Sequence, residues 1–66
     1  MRKSYRIGFT RIENRQLIED ETEFDIVAGD EIALMLLFSD FCRENDFTIY
    51  TIDDVTEVPY DGEQED

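Results

Sequence analysis

Residues 19–27 hold five carboxylates in nine positions: Glu19, Asp20, Glu21, Glu23 and Asp25, followed by Ile26 and Val27. The pattern suits a strand. Side chains alternate with period 2, so Glu19, Glu21, Glu23 and Asp25 share one face while Phe24 and Ile26 share the other. Alternate residues on a strand stand roughly 6.7 Å apart. The chain must therefore build a sheet with one face covered and one left in water, the wet face bearing a ladder of negative charge. A ladder of this kind has two uses. It keeps an edge strand from aggregating, or it forms a binding face for a positively charged partner.

The charge distribution bears on that choice. Eighteen acids against six bases give a net charge of -12, with no His. Residues 1–15 carry five bases and one acid, a net of +4, whereas residues 16–66 carry one base and seventeen acids, a net of -16. Solubility alone asks for a magnitude of about 2–8 in a small domain. The excess favours a positively charged partner and disfavours DNA, RNA and anionic membranes as direct ligands.

At 66 residues and 41% apolar content the chain is one small folded domain, expected over 1–60, with an acidic tail at 61–66. Such a chain buries only about 60% of its unfolded surface, which leaves little room for an enclosed pocket. The one cysteine, Cys42, sits in an apolar run and is expected to be a buried thiol. Met1, Arg2 and Lys3 are not followed by an apolar signal region, and no run reaches the length of a membrane span. A cytoplasmic protein is expected.

Tyr5, Ile7 and Phe9 alternate with Arg6, Gly8 and Thr10, a first strand over about Ser4–Glu13. Glu13, Asn14, Arg15 and Gln16 fit a tight turn, since Asn tolerates the left-handed conformation of hairpin turns. A second strand runs over about Gln16–Val27. If Asn14 and Arg15 form a two-residue loop, opposed residue numbers sum to 29, and Tyr5 faces Phe24, Ile7 faces Thr22, Phe9 faces Asp20 and Arg11 faces Ile18. The apolar sides then coincide, and a slip of one residue would separate them. On the reverse face Arg6 stands opposite Glu23, the one base placed to offset the ladder. Asp20 falls on the inner face, and a bulge near 19–22 is expected to turn it outward.

Ala28, Gly29, Asp30 and Glu31 open a helix, with Gly29 or Asp30 as N-cap and the acids at the favourable end of the helix dipole. The helix runs to about Asn45, expected to take a left-handed closing conformation. Leu34, Leu37, Phe38, Phe41 and Cys42 follow the spacing of a buried face. Ile32 to Phe38 is apolar throughout, which one small sheet cannot cover, so Met35 and Leu36 fall partly outside the seam. They are either covered by other segments, exposed, or a partner surface. Phe47 to Ile52 returns to strand composition. Asp53 and Asp54 interrupt it and Val55 to Val58 resumes it, which reads as one strand with a bulge in preference to a hairpin. Pro59 ends the pairing. The sum is an α+β, two-layer ββαβ domain, with a three-stranded antiparallel sheet of order 2-1-3 and one helix on one face.

No catalytic residue is expected: there is no His, and Cys42 has no paired base. Asp53 and Asp54 with the ladder offer oxygen ligands to a divalent cation, but neither an EF-hand spacing nor a zinc pair is present, so no metal or cofactor is expected. Arg2, Lys3, Tyr5, Arg6, Phe9 and Arg11 mimic a nucleic-acid patch, yet Tyr5 and Phe9 point to the core. The candidate partner-binding residues are Glu19, Glu21, Glu23, Asp25, Asp53, Asp54 and Glu57.

A tiny, intensely acidic chain with Glu19 to Asp25 on a strand resembles the small phage-encoded anti-CRISPR proteins that imitate DNA. The resemblance spans the whole chain in size, charge and element order, and assigns no individual residue. It implies a non-enzymatic inhibitor, acting in the host bacterial cytoplasm, that occupies the DNA- or PAM-reading surface of a CRISPR effector, with a type I complex as first candidate. The alternative is an acidic interaction module, such as a toxin-neutralising or regulatory subunit, docking through the apolar helix. A monomer is expected because the net charge opposes self-association, although a dimer through the helix is permitted.

Self-repulsion of this size predicts that raising NaCl from about 10 mM to about 0.5 M increases the melting temperature, read by circular dichroism.

Overall fold

The computed structural model describes residues 1–59. Tyr60 and the expected acidic tail at 61–66 lie outside the described residues. Four elements follow in order: β1 (Arg2–Glu13), β2 (Gln16–Val27), α1 (Glu31–Glu44) and β3 (Tyr50–Val58). The strands form one antiparallel sheet of order β2-β1-β3, and the helix lies on one face of it. The fold is the expected α+β arrangement.

The β1–β2 register is regular from Arg2↔Val27 to Glu13↔Gln16, every pair summing to 29. Asn14 and Arg15 make the turn with φ of 55° and 66°. Two successive left-handed residues define a type I′ turn, whose twist matches that of the flanking strands. Asn accepts this conformation easily; Arg does not.

The expected bulge near 19–22 is absent, since the register passes through it unbroken. Asp20 escapes the inner face in another way. On an edge strand its side chain is free to lean outward, where its Oδ1 accepts from the Glu21 N–H at 2.8 Å. Its Oδ2 lies 3.6 Å from Arg11 Nε. The Arg11 guanidinium also donates to Glu13 and stands 4.4 Å over the Phe47 ring, so the inner face at this end is closed by a cation on an aromatic.

Asp30 is the N-cap, accepting from Ala33 N–H at 3.1 Å through its carboxylate. At the other end the expected left-handed Asn45 is corrected. Asn45 has φ of -99°, and Asp46 takes the positive φ of 61°. Phe47 N–H then bonds to Cys42 O at 2.8 Å and Asp46 N–H to Arg43 O at 3.2 Å, the bonding pattern of a Schellman motif. That motif delays the third strand, which begins at Tyr50 instead of Phe47. β3 is a single strand with a register shift opposite Gly8 and Phe9, and pairing ends before Pro59.

Ile7, Phe9, Ile26, Leu34, Phe38 and Cys42 are buried between the layers. Phe9 is the hub, with edge-to-face contacts to Phe38 at 5.2 Å and Phe41 at 6.0 Å between ring centroids. Such pairs add about 0.5–1.5 kcal/mol each beyond area burial. Leu37, expected on the buried face, is 38% exposed. Leu37 instead faces the groove that α1 forms with Asp25, Ile26 and Val27 on the β2 edge. No helix among the described residues is long and apolar enough to cross a membrane.

Replacing Arg15 with Gly relieves the left-handed conformation and is expected to raise unfolding free energy by about 0.5–1 kcal/mol in urea titration.

Candidate functional site

The face of the sheet away from the helix is assembled in cross-strand rows, each centred on β1. Ser4 lies between Asp25 and Val58, Arg6 between Glu23 and Thr56, Gly8 between Glu21 and Asp54, and Thr10 between Glu19 and Thr51. Period-2 alternation along β2 places all four ladder residues here, and each is exposed.

The bulge in β3 adds to this face. Strict alternation would send Asp53 and Asp54 to opposite sides. With Gly8 opposite Asp54 and Phe9 opposite Ile52, Asp53 is the extra residue, and both carboxylates turn the same way. Asp53 Oδ2 accepts from Thr10 Oγ1 at 2.7 Å. The Asp54 carboxylate leans over the central strand; a Cβ on Gly8 would stand 2.8 Å from its Oδ1. Gly8 therefore has a spatial reason to be glycine: it is the floor on which an acid from the neighbouring strand rests.

Six of the seven candidate residues, Glu19, Glu21, Glu23, Asp25, Asp53 and Asp54, thus share one face. Glu57 does not join them. It pairs with Tyr5, on the helix side, and its carboxylate lies 3.4 Å from Lys3 Nζ.

Among the described residues, Arg6 is the base that forms ion pairs on this face. Its Nε is 3.3 Å from Glu23 Oε2 and 3.8 Å from Glu21 Oε1. Both partners are exposed, so each contact contributes roughly 0–1 kcal/mol and leaves most of the charge uncompensated. Arg2 is drawn to the edge, where its Nη2 donates to the main-chain oxygen of Asp25 at 3.0 Å. Asp25 is further held by a hydrogen bond from Ser4 Oγ. Among the described residues Ser4 is the one buried polar residue, and the sequence did not mark it as such. Its signal was its place opposite an acid in the register, just as an isolated glycine within a strand signalled a close approach at Gly8.

The arrangement offers fixed negative charge and little else. No three His, Cys, Asp or Glu side chains among the described residues are grouped to hold a metal ion. Burial pushes the Cys42 thiol pKa up, partly offset by a hydrogen bond with Tyr50, which keeps it protonated and poorly nucleophilic.

A second surface lies around the β2 edge. Arg2, Val27, Ala33, Leu36, Leu37 and Asp40 line a groove between that edge and α1. Ile32 and Leu36 on the helix are 74% and 62% exposed.

No family model, no curated protein and no solved structure matches the chain.

Replacing Arg6 with Gln should remove the one paired cation of the acidic face. The variant is expected to elute from an anion-exchange column at higher salt than the parent, with a stability change under about 1 kcal/mol by urea titration.

Proposed function

We propose that this chain is a non-enzymatic inhibitor that binds a basic nucleic-acid-handling protein by presenting its acidic sheet face in place of a nucleic-acid backbone. The observation that carries this reading is the convergence of six carboxylates from two strands on one uncovered face with a single ion-paired guanidinium.

Charge spacing supports it and narrows it. Glu19 to Asp25 covers about 20 Å at a strand's rise. Six carboxylates less one guanidinium leave about one net charge per 4 Å over that length. Duplex DNA carries one charge per about 1.7 Å, and each of its strands one per about 3.4 Å. The face approximates one strand of backbone better than a whole duplex. A Lys/Arg row that tracks a single strand is the surface it complements. Approach to such a row is steered by long-range attraction and weakened by salt.

The target class we propose is the DNA-entry surface of a CRISPR effector, with a type I complex first. Size, charge and the ββαβ order support that assignment. A second reading, docking through the helix as a regulatory or toxin-neutralising subunit, draws on the exposure of Ile32 and Leu36. Salt separates the two: hydrophobic docking persists at about 0.5 M NaCl, whereas charge-led docking falls steeply.

The test is DNA binding by a purified type I effector with this protein as competitor. Glu21→Lys with Glu23→Lys is expected to weaken competition by roughly tenfold or more while leaving the circular-dichroism spectrum unchanged. Equal competition by the folded double variant would refute the reading.

A further inference from the structure

The outer edge of β2 carries a row of main-chain groups whose direction follows from the register. Ala28 N–H bonds to Met1 O at 2.9 Å, so Met1 and Ala28 are a hydrogen-bonded pair summing to 29. Bonded and non-bonded pairs alternate along an antiparallel ladder. The odd residues of β1 are therefore the ones bonded to β2. The bond from Ile12 N–H to Ile49 O agrees, because it shows an even residue turned the other way, towards β3. It follows that Leu17, Glu19, Glu21, Glu23, Asp25 and Val27 direct N–H and C=O away from β1, to the open edge.

Part of this edge is already closed. Asp20 occupies the Glu21 N–H, Arg2 the Asp25 carbonyl, and Asp30 N–H the Val27 carbonyl at 3.0 Å. What stays open, apart from the Glu21 N–H, is a tract from Leu17 to Glu23. Its side chains at 19, 21 and 23 are the acidic ladder.

The helix supplies a separate observation. Leu36 and Leu37 are 62% and 38% exposed and line a groove with Asp25, Ile26 and Val27, at the Val27 end of this edge. A fourth strand next to β2 that continues past Glu23 would run into this groove. Among the described residues, the β3 edge carries no comparable ladder of acids.

We infer that the β2 edge accepts an extended segment of a partner protein as a fourth strand, one that alternates basic and apolar residues. Its basic side chains would stand on the outer face beside Glu19, Glu21 and Glu23. Its apolar side chains would turn to the helix side, those beyond Glu23 towards Leu36 and Leu37. A second copy of this chain fits poorly, because antiparallel pairing of two β2 edges centred on Glu21 sets Glu19 against Glu23 and Glu21 against itself. The inference rests on backbone direction and on the apolar groove at the Val27 end of the edge, and it holds whether or not the partner handles nucleic acid.

The probe is a nine-residue peptide alternating Lys and Val, compared with a peptide of the same composition whose Lys residues form one block. Charge alone treats the two alike; strand addition does not. The alternating peptide is expected to bind at least about tenfold more tightly in calorimetry, and to slow hydrogen exchange at the amides of Leu17, Glu19 and Glu23. Glu19→Pro and Glu19→Gln carry equal charge, but only the first removes an outward N–H, at a position where an edge strand tolerates proline. Glu19→Pro is expected to bind at least about tenfold more weakly than Glu19→Gln. Equal binding of the two peptides with unchanged amide exchange would overturn the inference. Should Glu19→Pro not fold, the exchange measurement on the parent protein decides alone.

Discussion

The structure depends on one register. Pairing of β1 with β2 at a constant sum of 29 does three things together. It brings Ile7, Phe9 and Ile26 to the face that the helix covers. It gathers Glu19, Glu21, Glu23 and Asp25 on the face that no other described element covers. It also sets which main-chain groups of β2 point outward. A slip of one residue would reverse the first two and redirect the third. The register is enforced at one end by the type I′ turn at Asn14 and Arg15, and along its length by the cost of exposing Phe9 and its aromatic neighbours.

The rest of the molecule follows from how little core so small a chain can build. One helix must serve three strands. The distance to β3 is bridged by large rings: Phe38 meets Phe9 at 5.2 Å and Tyr50 at 5.5 Å. On the β2 side, Leu36 and Leu37 line a groove with Asp25, Ile26 and Val27, at the end of an edge that is only partly closed.

Much of this was legible in the sequence, and the reasons are physical. Alternation at Tyr5, Ile7 and Phe9, with its match at Phe24 and Ile26, admits one pairing parity. The adjacent acids Asp53 and Asp54 break the alternation of a strand-forming run, which marked a bulge. Four features were not legible. Asp20 needed no bulge because an edge residue has sideways freedom that a pairing diagram does not show. The left-handed residue after the helix was Asp46 and not Asn45, a choice made by which residue completes the Schellman bonds. Leu37 has the spacing of a buried residue, but its burial depends on where the helix sits across the sheet. Glu57 reads as one more acid, yet its face is fixed only once the bulge position is known, and that position turns it towards Lys3.

We propose the sheet face opposite the helix as the working surface. The most direct measurement is an amide chemical-shift map of isotope-labelled protein bound to a basic nucleic-acid-binding target. Shifts are expected along Glu19–Asp25 and at Asp53 and Asp54, with Ile32 and Met35 unmoved. Shifts concentrated on Ile32, Met35 and Leu36, with the acidic strand unmoved, would contradict it.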